Sequence, residues 1–167
     1  MIKLLPSLLI SLFLLSLTGK SSDGQDIQKN RLIVLSDIED FQNDFAARMD
    51  WCTASYGEAN HPPVAKINGP EEFTVRSGDI FKLDADGSYD PDGDALSYLW
   101  FQYPEAGTYK GNVSFGMLAE NLYNVHTIKA PDVQKPETVH FILRVTDKGN
   151  PPLSRYRRVI VTIVPNK

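Results

Sequence analysis

Carboxylates are the side chains of this sequence that are most concentrated in a chemically meaningful pattern. Five of them fall within the eleven residues 84–94, and Asp147 opens a later loop rich in Gly and Pro. Alternating carboxylates in such a loop offer the oxygen ligands of Ca²⁺, about six to eight at 2.3–2.6 Å. The alternative is a tight turn without an ion, because Asp and Gly favour turns for backbone reasons. The predicted calcium ligands are Asp90, Asp92, Asp94 and Asp147.

Large aromatic rings occupy both faces of one predicted strand, Leu96–Tyr103. Because side chains alternate along a strand, Trp100 lies on one face while Phe101 and Tyr103 lie on the other. An apolar outer face usually marks a partner surface, and aromatic rings suit the C–H faces of sugars. The alternative is that the segment 31–61 covers these rings. The predicted sugar contacts are Trp100, Phe101, Tyr103 and Tyr109.

Composition and spacing disfavour several other functions. The net charge of −4 offers no basic patch for a nucleic acid. Cys52 is the only cysteine, so an intramolecular disulfide is excluded, and no zinc motif can be written from it and three histidines. The clustered carboxylates crowd one loop, whereas a glycosidase needs two acids at a defined separation across a cleft. We therefore predict no catalytic residue.

Residues 62–167 consist of short β-like runs separated by Gly, Pro, Asn and Asp. Their number and spacing predict an all-β fold, an immunoglobulin-like antiparallel β-sandwich. The predicted strands are Val64–Ile67, Phe73–Arg76, Ile80–Ala85, Leu96–Tyr103, Asn112–Phe115, Val125–Lys129, Thr138–Thr146 and Arg157–Val164. The predicted core, taken mainly from alternation, is Phe81, Leu83, Val139, Phe141, Leu143, Val145, Val159, Val161 and Ile163.

The first 61 residues have a different character. Lys3 precedes an apolar run, Leu4–Leu17, and small residues follow it, which predicts a signal peptide over 1–19. A membrane anchor is the alternative, although the run is shorter than the roughly 20 residues that a span needs. Residues 20–61 then supply a linker, one buried strand over 31–37 and one helix over 40–51. We expect a secreted or periplasmic protein that leaves the membrane after cleavage.

Several segments resemble known families. Residues 83–100 (LDADGSYDPDGDALSYLW) resemble the opening of polycystic-kidney-disease-type domains, and 145–154 (VTDKGNPPLS) resemble the end of a cadherin-like repeat. The chain is most similar to a bacterial family of exported cellulose-binding proteins that join a nucleoside-hydrolase-like N-terminal domain to an immunoglobulin-like C-terminal domain. The supporting motifs are 44–52 (DFAARMDWC), 59–64 (ANHPPV), 100–109 (WFQYPEAGTY) and 156–161 (YRRVIV).

This resemblance implies a function, and it also implies that most of the hydrolase-like domain is missing from this chain. Residues 31–39 (RLIVLSDIE) are similar to the first strand of the hydrolase-like domain, after which acidic residues such as Asp37 bind Ca²⁺ and sugar in nucleoside hydrolases. About 200 residues that such a domain needs have no counterpart between Glu39 and the next matching motif. The resemblance therefore implies a non-catalytic module that binds cellulose or another plant polysaccharide. The alternatives are an N-glycosidase and an inactive structural remnant of one.

Overall fold

The computed structural model of the chain describes residues 38–115 and 123–166. The predicted signal peptide, the predicted strand 31–37 and Asp37 lie outside these residues. Most of the regular structure described is strand, which confirms the all-β class. The strands are β1 (Glu72–Arg76), β2 (Ile80–Asp84), β3 (Ser97–Gln102), β4 (Val125–Lys129), β5 (Glu137–Thr146) and β6 (Ser154–Val164).

The strands form two sheets. One has four strands in the order β1-β6-β5-β3, and the other pairs β2 with β4. Neighbouring strands are antiparallel except that β1 runs parallel to β6, with Phe73 opposite Val161. The prediction of a purely antiparallel arrangement is therefore wrong at this pair. Because β1 and β6 are far apart in the sequence, no tight hairpin forces them to be antiparallel.

The core lies between the two sheets. Every second residue of β5 is buried, as the alternation predicts, and β6 contributes Val159, Val161 and Ile163. From the two-stranded sheet, Phe81 reaches Phe141 with ring centroids 6.0 Å apart. All nine predicted core residues are buried to at least nine-tenths, which confirms that part of the prediction.

Two predicted strands are absent. Within 64–67 there is only a single bridge, between Val64 and Tyr89, and residues 112–115 are irregular although Val113 is buried. The buried side chain of Gln102 explains the second case. Its Nε2 donates to the carbonyl of Gly111 at 2.9 Å, and its Oε1 accepts from the N–H of Val113 at 2.8 Å. A side-chain amide thus satisfies the backbone groups that a strand partner would otherwise pair.

Residues 38–50 are helical, which agrees with the prediction over 40–51. The apolar residues at helical spacing, Phe41, Phe45, Ala46 and Met49, are all exposed, so their spacing does not mark a buried face. Phe41 and Phe45 are 74% and 60% exposed. The acidic side of the helix contacts the sheet instead, with Asp40 Oδ2 at 3.4 Å from Arg144 Nε and Asp44 Oδ1 at 3.3 Å from Arg155 NH1. The helix therefore meets the four-stranded sheet through charged groups, and Ala47 is the one residue of 38–50 that is buried. Within the described ranges, no helix is long and apolar enough to cross a membrane.

Candidate functional site

Two regions of interest lie at the two ends of β3. The aromatic end consists of Phe101 and the loop 103–111, which follows this strand. The acidic end consists of the loop 90–94, which precedes the strand, together with Asp147 and the segment 51–61 that contacts them. A strand of six residues is about 20 Å long, so the two ends are well separated.

At the aromatic end, the structure separates the predicted sugar contacts. Trp100 is only 1% exposed and points into the core, with its Nε1 donating to the carbonyl of Asn124 at 3.4 Å. The prediction that Trp100 contacts a sugar is therefore corrected, because β-strand alternation turns its ring away from solvent. Phe101 is half-buried on the opposite face, and Tyr103 is 45% exposed.

The loop that carries Tyr103 and Tyr109 is held firmly to β5. The backbone N–H groups of Thr108 and Tyr109 donate to the carbonyl of Thr138, each at 3.1 Å, and Tyr103 N–H donates to that of His140 at 2.8 Å. The half-buried ring of Tyr109 lies against the backbone of Gly111, where a Cβ would come within 2.5 Å of the phenol oxygen. Only glycine therefore leaves room for this ring position.

The acidic loop is both a turn and a cluster of oxygen ligands. Asp90 Oδ1 accepts the backbone N–H of Asp92 at 2.9 Å and that of Asp94 at 3.2 Å, and Gly93 has a φ of 84°. These bonds are the ones that the turn interpretation predicts. The same turn gathers one carboxylate oxygen from each of the three aspartates within 4.8 Å of one another. The two interpretations of the sequence are therefore compatible.

Asp147 is separate from that three-residue group, although it faces the same region. The residue is fully buried, and its Oδ1 accepts from the N–H of Leu153 at 2.9 Å and of Gly149 at 3.0 Å. Its carboxylate also lies 3.3 Å from Asn60 Nδ2. Burial raises the pKa of the Asp147 carboxyl, the three N–H donors lower it, and the negative charge of Asp90 raises it further. The net direction of the pKa is upward, and burial is its largest cause.

Two buried oxygens at the acidic end have no hydrogen-bond donor. They are Asn60 Oδ1 and Asp90 Oδ2, two of three such side-chain atoms among the described residues. The Asn60 amide nitrogen is fully engaged, since it also donates to the carbonyl of Pro151 at 2.7 Å. Buried polar atoms normally have partners, so two unpaired oxygens beside a carboxylate cluster fit an oxygen-binding cation. The residues present are thus chemically suited to Ca²⁺.

The sequence analysis missed an aromatic stack at the acidic end. The ring of His61 lies 3.9 Å from that of Tyr56 and 6.1 Å from that of Trp51, at interplanar angles of 28° and 7°. Asp92 fixes His61, accepting its backbone N–H at 2.6 Å and lying 3.0 Å from its Nδ1. The motifs 44–52 and 59–64 contain Trp51 and His61, but nothing in their spacing indicates a stack.

Comparison with known proteins identifies the part of the chain that contains β2 to β6. The model of one protein family, described as the C-terminal domain of the cellulose-binding protein Sde0182, matches residues 80–163. Among solved structures, the chain is similar to a nucleoside hydrolase-related hypothetical protein from Saccharophagus degradans that is associated with carbohydrate metabolism. The identity is 36% and the TM-score 0.68, over 74% of this chain and 31% of that one. The chain thus spans about a third of that protein's length. No curated protein matches it.

Proposed function

Since the chain belongs to the family of the C-terminal domain of the cellulose-binding protein Sde0182, we propose that it binds cellulose or a related plant polysaccharide without cleaving it. This family membership confirms the family resemblance found in the sequence and supports carbohydrate binding. The observation that carries the finer proposal is the exposed ring of Tyr103 on a loop fixed by backbone hydrogen bonds.

The proposed mechanism is stacking at the aromatic end. Tyr103 presents its exposed ring to the C–H face of a sugar. The half-buried Phe101 and Tyr109, of which Tyr109 also packs against the core, are the further candidate contacts. Lys110 stabilises the loop internally. Its Nζ donates to the carbonyls of Pro104 and Gly107 at 3.0 and 2.7 Å. A platform that is ordered before binding loses little conformational entropy when the polysaccharide arrives.

Retention on insoluble cellulose tests this function. The purified chain should be retained more than serum albumin across a range of salt concentrations, because stacking does not depend on screened charges. Retention no greater than that of albumin would contradict polysaccharide binding. Incubation of the same protein with nucleosides tests the N-glycosidase alternative, for which we expect no free base above the blank.

We further propose that Ca²⁺ binds at the acidic end, with Asp90, Asp92, Asp94, Asp147 and Asn60 as the candidate ligands. The unpaired oxygens Asn60 Oδ1 and Asp90 Oδ2 support this proposal. A cation there would link the segment that contains Asn60 to the loop 90–94 and to Asp147. It would also offset the charge repulsion between Asp90 and Asp147.

A thermal melt with calcium and with chelator tests the ion. A ligand at 100 times its dissociation constant stabilises the folded state by about 2.7 kcal/mol, so the midpoint should be higher with calcium. Asp90→Asn should abolish the difference, whereas Asp132→Asn, at an exposed aspartate outside the cluster, should retain it. Equal midpoints for the wild type in the two buffers would contradict calcium binding.

The fold and the cellular location can be stated more finely as proposals. Two sheets around one core support an immunoglobulin-like sandwich, and the family supports an extracellular protein. Export by the predicted signal peptide should leave a mature N-terminus near residue 20. Mass spectrometry of the protein recovered from the medium or the periplasm measures this end, and an intact Met1 would contradict cleavage.

A further inference from the structure

We propose that Tyr56 forms a second sugar-binding platform at the acidic end, where the face of a β-linked hexose ring stacks on the open side of its phenol ring. This inference rests on the polysaccharide-binding function proposed above. The stack of Tyr56, His61 and Trp51 contains none of the sugar contacts predicted from the sequence.

Tyr56 is the most exposed ring of the stack, as expected for the ring that contacts a ligand. Tyr56 is 73% exposed, whereas His61 and Trp51 behind it are half-buried. His61 lies against one face of the tyrosine at a centroid distance of 3.9 Å, which leaves the other face open to solvent. Exposed aromatic rings bury a large apolar area when a partner covers them.

The stack is fixed from behind by polar contacts. Trp51 Nε1 donates to the carbonyl of Asn60 at 2.8 Å, and Asp92 holds His61 through its backbone and its ring. Tyr56 itself opens a single 3-10 turn, Tyr56–Glu58, which Ser55 closes by donating from its Oγ to Glu58 Oε2 at 2.7 Å. The ring is therefore preorganised, so that binding orders few additional groups.

One exposed carboxylate, that of Glu58, lies two residues after Tyr56 in the chain. One of its oxygens, Oε2, accepts from Ser55 Oγ. A hexose has C–H groups on its face and O–H donors around its edge, and carboxylate oxygens accept such donors. An exposed aromatic ring with an exposed carboxylate two residues away matches a neutral sugar better than an apolar peptide or an anion.

Titration of cellohexaose into the full chain by calorimetry, together with retention on insoluble cellulose, tests the platform. Tyr56→Ala should weaken cellohexaose binding about fivefold, the order expected when one stacking face is lost. Tyr56→Phe should bind like the wild type, since the ring remains. Tyr123→Ala removes a tyrosine that is 53% exposed and lies outside the stack, and it should also bind like the wild type.

The outcomes separate the two proposals. If the wild type binds and Tyr56→Ala binds equally well, the second platform is overturned while the function stands. If the wild type binds neither cellohexaose nor cellulose, both proposals are overturned. Thermal melts of the variants distinguish lost contact from lost folding, and because Tyr56 is largely exposed we expect unchanged midpoints. A midpoint lowered in Tyr56→Ala but not in Tyr56→Phe would assign the ring a structural role instead.

Discussion

The two ends of β3 are built on different physical principles. At the aromatic end, strand alternation buries Trp100, turns the half-buried Phe101 to the opposite face and leads directly to Tyr103. At the acidic end, side chains from distant parts of the sequence meet, as when Asn60 bonds with Asp147 across 87 positions. The first arrangement follows from local pattern and an apolar core, whereas the second depends on polar groups that need one another, and on an ion in our proposal.

This contrast predicts the largest loss of stability in the apolar core. Leu143→Ala empties a fully buried position of β5 and should lower the free energy of unfolding by about 2–5 kcal/mol. Ile142→Ala, next to it on the half-buried outer face, should cost clearly less. Denaturant unfolding measures both. Equal losses would contradict the assignment of the two faces of β5.

At the acidic end, loss of Asp147 should have the next largest effect. Asp147→Ala leaves the N–H groups of Leu153 and Gly149 without their acceptor, which should cost about 1.5–3 kcal/mol in denaturant unfolding. The exposed Asp132 provides the control, because its replacement by alanine removes the same charge without a buried partner. Equal losses for Asp132→Ala and Asp147→Ala would show that the hydrogen bonds around Asp147 contribute little.

A smaller effect is expected in the pH dependence of stability. Burial and the charge of Asp90 raise the pKa of Asp147 above its ordinary value of 3.8, so the folded state holds this proton more tightly than the unfolded state does. In chelator, the stability of the wild type relative to Asp147→Asn should therefore fall as pH rises from about 3.8 through the raised pKa. Melting temperatures across this range measure the difference. A difference that grows with pH would contradict the raised pKa.

The apolar core could be predicted from the sequence, whereas the long-range polar contacts could not. The alternation in β5 and β6 predicts the core, because burial of one face imposes a period of two on the sequence. The spacing of Phe41, Phe45, Ala46 and Met49 predicts a helix over 40–51, and the structure has one at 38–50. Its charged side nevertheless meets the sheet, since Arg144 and Arg155 provide partners that periodicity does not reveal. Long-range polar contacts leave no local pattern.

The acidic end shows the same limit at the candidate site. The turn and the closeness of Asp90, Asp92 and Asp94 follow from their spacing, and the structure brings them together. The contribution of Asn60 and the stack on His61 does not follow, because both arise when the segment 51–61 contacts two loops that lie far along the chain. Only the three-dimensional arrangement identifies these groups.

Cellulose retention of two single tyrosine variants tests the central claim most directly. Tyr103 and Tyr123 are 45% and 53% exposed, so alanine at either position removes a similar ring. Complete burial of an exposed aromatic side chain contributes about 1.5–3 kcal/mol. Because Tyr103 is only 45% exposed, about half of this is left to gain on binding, so Tyr103→Ala should weaken retention up to about tenfold. Tyr123→Ala should be retained like the wild type. Equal retention of Tyr103→Ala, Tyr123→Ala and the wild type would contradict polysaccharide binding at the aromatic end.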